Sequence, residues 1–194
     1  MKYFGILLCA SSLYSAGLQD TYTQEYYGKY ADALAGMEKL AAENPKEYFF
    51  ALRAGYVAYL AGSYTRSLQH YQNALLLKSD SLEPRLGKLL PLIALGQYKQ
   101  AEIEAQAVLR SDPRNYTARI KIAYATYLTG DFPRSEKYYA ELAAEYPSDA
   151  TVLMGLGWAQ LKQGKKERAR QNFERVKLMF PGSKYADEGL AWAK

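Results

Sequence analysis

Apolar residues recur along this chain at helical spacing, three and four apart, in blocks of about fourteen residues. Each block ends at a glycine, and a second block of the same kind begins just beyond it. The stretches FALRAGYVAYLAG (50–62) and YTRSLQHYQNALLL (64–77) show the pair. Such a pattern predicts two amphipathic helices joined by a tight turn. The glycine supplies the left-handed backbone that ends the first helix.

The pattern then repeats. Gly28, Gly62, Gly96, Gly130 and Gly164 lie 34 residues apart. Two residues after each stand Tyr30, Tyr64, Tyr98, Phe132 and Lys166, and five residues after each a small one: Ala33, Ser67, Ala101, Ser135 and Ala169. The small side chain lets the paired helices approach closely. Pro45, Pro113, Pro147 and Pro181 follow their glycines by 17, and only Ser79 breaks that series. Proline cannot continue the helical hydrogen-bond ladder and so separates one unit from the next. Asp149 and Ser81 are N-cap candidates just after such breaks. Pro91 falls inside a predicted helix and is expected to kink it, with Gly87 four residues back easing the clash.

A 34-residue unit carrying Leu156-Gly157, Gly164, Ala169, Phe173, Val176 and Pro181, or Ala54-Gly55, Gly62, Tyr64, Ser67, Tyr71 and Ala74, resembles the tetratricopeptide repeat (TPR) family. The resemblance implies an all-α, right-handed superhelix (α-solenoid) of five helix-turn-helix repeats. They would occupy 18–47 (shortened), 48–81, 82–115, 116–149 and 150–183, with a C-terminal capping helix at 184–194. It also gives six tyrosines structural places: Tyr30, Tyr64 and Tyr98 at the turn, Tyr71 and Tyr139 on the second helix, and Tyr48 at a helix start. In the family the first helices of successive repeats line a concave groove. The matching positions here are Leu52, Tyr56, Tyr59, Leu86, Leu90, Ile120, Tyr124, Tyr127, Met154 and Trp158. Tyr22 and Leu18 continue these rows into the first repeat. The resemblance thus implies an apolar, aromatic groove for a protein or peptide partner, either a helix or an extended segment. Family members that clamp a chaperone carboxylate use basic and amide groups. Leu52, Tyr56, Gly87, Thr117 and Lys121 stand at those places, and only Lys121 fits.

Composition narrows the function. The 194 residues include 19 tyrosines but one cysteine (Cys9) and one histidine (His70), which leaves no disulfide, no Cys- or His-based metal site and little histidine chemistry. Phosphate-loop, nucleophile-elbow and zincin motifs are missing. The expectation is a protein that is not an enzyme and needs no cofactor. His70 reads as a semi-buried helical residue.

The N-terminus, MKYFGILLCASSLYSAG, has a basic n-region, a short apolar stretch and small residues at Ser15 and Gly17. It reads as a signal peptide over 1–17, cleaved before Leu18, and hence as export to the periplasm or outside the cell. No later run is apolar and long enough to span a membrane.

The formal charge of +5 is uneven. Residues 18–47 carry −3. Residues 150–183 carry Lys162, Lys165, Lys166, Arg168, Arg170, Arg175 and Lys177 against Glu167 and Glu174. Export argues against nucleic acid as the target of this basic patch. Together these features point to an exported, non-enzymatic adaptor or assembly protein. The alternatives are a module binding envelope polysaccharide or peptidoglycan, and a scaffold that self-associates through its oppositely charged ends.

Overall fold

The computed structural model describes residues 16–194. Most of the expected signal segment therefore lies outside the described residues; positions 16 and 17 belong to the first helix. The described residues form eleven helices and no strand. The first helices of the repeats, here called A helices, are α1 (described over 16–26), α3 (Tyr48–Leu60), α5 (Glu83–Ala94), α7 (Tyr116–Leu128), α9 (Ala150–Leu161) and α11 (Lys184–Trp192). The second, or B, helices are α2 (Tyr30–Glu43), α4 (Tyr64–Leu77), α6 (Tyr98–Ser111), α8 (Phe132–Glu145) and α10 (Lys166–Met179). This is the all-α solenoid class of helix-turn-helix repeats expected from the sequence. The chain divides into two compact units, one ending at Leu95 and one spanning Gly96–Lys194.

The turns follow from the five periodic glycines, whose φ values run from +71° to +83°. At Gly62 the glycine N–H donates to Tyr59 O at 3.0 Å and the next N–H, of Ser63, to Ala58 O at 2.9 Å. The same crossed pair of bonds recurs at Gly28, Gly130 and Gly164. This is the Schellman motif, which satisfies the last carbonyls of the A helix and reverses the chain. A side chain at that residue would be strained, so the period of 34 is a backbone requirement.

The small residue five positions on is buried in every repeat. In two repeats it also bonds across the pair. Ser67 Oγ donates to Gly55 O at 2.7 Å, and Ser135 Oγ donates to Ala123 O at 2.9 Å. Both hydroxyls reach A-helix carbonyls because no larger side chain holds the helices apart.

A second fit joins three B helices, α4, α8 and α10, to the A helix that follows, and α4 and α10 to the one before as well. The Tyr71 ring fills the place of a Cβ at both Gly55 and Gly87: a Cβ would come within 2.7 Å of the ring at Gly55 and 2.3 Å at Gly87. Tyr139 covers Gly155 at 2.2 Å, and Phe173 covers Gly157 at 2.6 Å and Gly189 at 2.7 Å. Gly87, expected from the sequence to relieve Pro91, is thus also the seat of an aromatic ring. Helix α5 continues through Pro91 to Ala94.

Helix starts are tied to the preceding repeat. Asp149 caps α9 by accepting from Thr151 N at 2.8 Å and Val152 N at 3.1 Å, as its position predicts, and Tyr116 Oη donates to the same carboxylate at 2.6 Å. Ser81 differs from expectation. It does not cap α5; its hydroxyl pairs with Tyr48 Oη at 2.7 Å, and Tyr48 also donates to Glu83 at 2.8 Å.

The ring-for-Cβ fit makes a testable prediction. Gly87→Ala forces Tyr71 to move and should destabilise the protein by about 1–3 kcal/mol. In a Tyr71→Leu background the same change should be near neutral or stabilising, because Ala exceeds Gly in helix propensity by about 1 kcal/mol. Denaturant unfolding of the four proteins reads the coupling; additive effects would contradict the fit.

Candidate partner-binding faces

The proposed groove residues sit on A helices, and the two units treat them differently. In the first unit Tyr56 is 41% exposed and Leu90 37%, while Leu52, Tyr59 and Leu86 are half-buried. Tyr59 packs against the turn residue Tyr64, ring centroids 5.9 Å apart. Tyr56 shares a cation with Tyr22: the Arg53 guanidinium lies 4.6 Å from the Tyr22 centroid and 5.1 Å from that of Tyr56. Its Nη2 donates to both oxygens of Glu25, at 2.8 and 2.7 Å. This aromatic-flanked ion pair is a feature that sequence reasoning missed. The signal was present, since Arg53 stands one helical turn before Tyr56, and Tyr22 stands one repeat before Tyr56.

In the second unit Tyr124, 41% exposed, joins Tyr127 and Trp158 around a cavity of about 350 Å³. Tyr139, Gly155 and Glu188 complete its lining. Trp158 is steadied edge-on against Phe173 at 5.3 Å, and Tyr127 against the turn residue Phe132 at 5.4 Å. Ile120 and Met154 are half-buried and also pack on the interior. Ile120 packs on the cluster of Ala123, Tyr139 and Leu156, and Met154 on that of Leu153, Val176 and Ala186. An adjoining cavity is lined by Trp158, Leu161, Lys162, Lys166, Glu188 and Trp192. Glu188 and Trp192 belong to α11 and were absent from the expected site. They stand one repeat beyond Met154 and Trp158, so extending the period into the capping helix finds them.

The basic patch is largely answered within the chain. Lys165 pairs with Glu136 at 2.5 Å, Arg170 with Glu167 at 2.6 Å, and Lys177 with Asp187 at 2.8 Å. Arg175 donates to Pro147 O and Lys166 to Lys194 O, both at 2.5 Å. Burial opposes the charge of Glu136. The bonds it accepts from Lys165, Gln163 and Gln160 nonetheless hold its carboxyl below the usual carboxylate range. Lys162 and Arg168 are exposed. His70 bridges two B helices, with Nε2 2.9 Å from Glu38.

A family model described as Tetratricopeptide repeat matches residues 25–84, 91–150 and 129–186. The chain belongs to the tetratricopeptide repeat family. TPR repeats imply a protein-interaction or scaffold role with protein or peptide partners, and TPR proteins are generally non-catalytic adaptors. Cellulose synthase 1 operon protein C of Komagataeibacter xylinus is 32% identical over 97 residues, covering 50% of this chain. The chain spans only 7% of that relative's length.

Three solved structures share the TPR fold. MamA (41-end) of Desulfovibrio magneticus aligns with a TM-score of 0.77 at 16% identity, covering 88% of this chain and 96% of that one. YrrB, described as a TPR protein with an unusual peptide-binding site, aligns at 0.70 and 16% identity, covering 89% of each chain. A thermophilic TPR protein of Thermus thermophilus aligns at 0.70 and 16%, covering 92% and 97%. Among the described residues no helix is long and apolar enough to cross a membrane.

Buried tyrosines give this TPR protein an alkaline limit. Burial pushes the Tyr71 and Tyr139 phenols well above the ordinary range, and burial with the Asp149 carboxylate does the same at Tyr116. A raised folded-state pKa contributes stability that is complete below the unfolded value of about 10 and is lost as pH climbs toward the folded value. Helicity should therefore fall cooperatively above about pH 10, together with tyrosinate absorbance from these phenols. Full tyrosine ionisation with helicity intact would contradict this.

Proposed function

We propose that this protein is an exported TPR adaptor or assembly factor whose A-helix faces receive a segment of a partner protein. One observation carries the reading: Tyr56, Leu90 and Tyr124, all at the ninth position of their repeats, remain exposed. Tyr56 projects from FALRAGYVAYL, a helix that is apolar almost all round. A helix apolar on every side is covered on every side when the protein does its work. Tyrosine suits this place, because its ring gives contact area at low entropy cost and its hydroxyl tolerates water between partners. Export rests on the n-region, apolar stretch and small residues of positions 1–17.

Affinity capture from an envelope fraction after cross-linking tests both parts. The wild-type protein should retain a partner that a Tyr56→Ala/Tyr124→Ala variant recovers at least about tenfold less well. Trp158 is spared because it supports Phe173. Circular dichroism should show unchanged helicity in the variant. Equal recovery by both proteins overturns the binding face. Mass spectrometry of the exported protein should find Leu18 at its N-terminus; a protein that stays inside the cell with residues 1–17 attached overturns export.

A further inference from the structure

The second unit's cavity has a counterpart in the first unit, and the counterpart is filled. Three repeat periods carry Tyr22 to Tyr124, Tyr56 to Trp158, Glu25 to Tyr127 and Arg53 to Gly155. In the first unit those positions hold a guanidinium lying over two rings and paired with a carboxylate. In the second unit all four line the cavity. The aromatic walls are retained and the cation is missing.

The position that would correspond to Arg53 is also barred from supplying that cation. Position 155 is occupied from the other side, where the Tyr139 ring stands 2.2 Å from any Cβ. A tyrosine on the B helix thus enforces the glycine that empties the cavity. A carboxylate is nevertheless present. Glu188, exposed on α11, lines the cavity and makes no ion pair among the described residues. Lys162 and Lys166 line the adjoining cavity with Glu188, and Lys166 is engaged by the Lys194 carbonyl.

We propose that this cavity receives an arginine side chain from an exposed segment of a partner protein, its guanidinium stacking between Tyr124 and Trp158 with Glu188 as counter-ion. The proposal rests on the reading above that the A-helix face of the second unit binds a protein partner. Guanidinium is favoured over ammonium because its planar, weakly hydrated group stacks on aromatic faces, as Arg53 does within this chain. The flanking rings displace part of the water around the pair, so the Glu188 charge acts more strongly than on an open surface.

Titration of the full chain with Ac-Leu-Arg-Leu-amide, followed by the Trp158 indole N–H resonance, tests the assignment. A Trp192→Phe variant identifies which of the two indole signals is Trp158. The peptide should shift that signal saturably. The citrulline analogue, equal in shape but uncharged, should bind about tenfold more weakly or worse. Glu188→Gln should weaken the arginine peptide about tenfold and leave the citrulline peptide unchanged. Equal affinities for the two peptides, indifference to Glu188→Gln, or no saturable shift at millimolar peptide would each overturn the proposal. Failure here is separable from failure of the binding face. If Glu188→Gln still captures the cellular partner while Tyr56→Ala/Tyr124→Ala loses it, only the arginine assignment falls.

Discussion

An aromatic ring cannot share space with a Cβ, and the packing of both units depends on that exclusion. The residue four places after each small residue of the B helices varies in size: Met37, Tyr71, Ala105, Tyr139, Phe173. The facing position on the next A helix answers it: Arg53, Gly87, Lys121, Gly155, Gly189. Every ring meets a glycine, and where the B helix carries Met37 or Ala105 the partner position bears a long basic side chain. The three ring contacts all lie under 3 Å from the missing Cβ, so neither member of a pair can change alone. The same exclusion decides what the A-helix faces can do. Arg53 has room to reach between Tyr22 and Tyr56, whereas Gly155 leaves its place vacant. Core packing and surface chemistry are therefore set by one choice of residue.

Polar contacts fix the register of these apolar fits. Ser67 and Ser135 bind A-helix carbonyls within a repeat, and Tyr48 and Tyr116 reach hydroxyl and carboxylate groups at the start of the next. Burial without a partner would penalise these groups, so each bond excludes a slipped arrangement more than it adds net stability. Ion pairs and hydrogen bonds extend the same logic over B helices, as where Glu38 meets Arg66 and His70. Such exposed pairs contribute little individually. Their effect here is to neutralise a patch of α10 that looks strongly basic when charges are counted along the chain.

Much of this was legible in the residues. The glycine period is a direct record of a backbone angle, so helices and turns could be read without tertiary information. Asp149 was legible as a cap because its bonds are local. What stayed hidden depends on neighbours a repeat away. Ser81 has the composition of a cap, yet Tyr48 claims its hydroxyl. Ile120 and Met154 belong to a half-buried column and also pack on the core, because a helix face has edges that a column of positions does not reveal. The basic patch was visible as composition, while its carboxylate and carbonyl partners come from helices α8 and α11 and the loop before α9. Gly87 has a second neighbour that the sequence did not reveal, since Pro91 is near in sequence and Tyr71 is near in space.

The ring-for-glycine fit also redefines what the interchangeable module of this protein is. Written in sequence, the repeat begins with an A helix and ends with its B helix. Sterically, a ring also ties a B helix to the A helix after it, because Tyr139 belongs with Gly155 and Phe173 with Gly189. A duplication, deletion or transplant cut at the sequence boundary would part these partners and bring a ring against a Cβ. One cut at the glycine turns would keep Tyr139 with Gly155 but part Tyr71 from Gly55 and Phe173 from Gly157. Recombination in this chain is therefore constrained in both phases of the repeat.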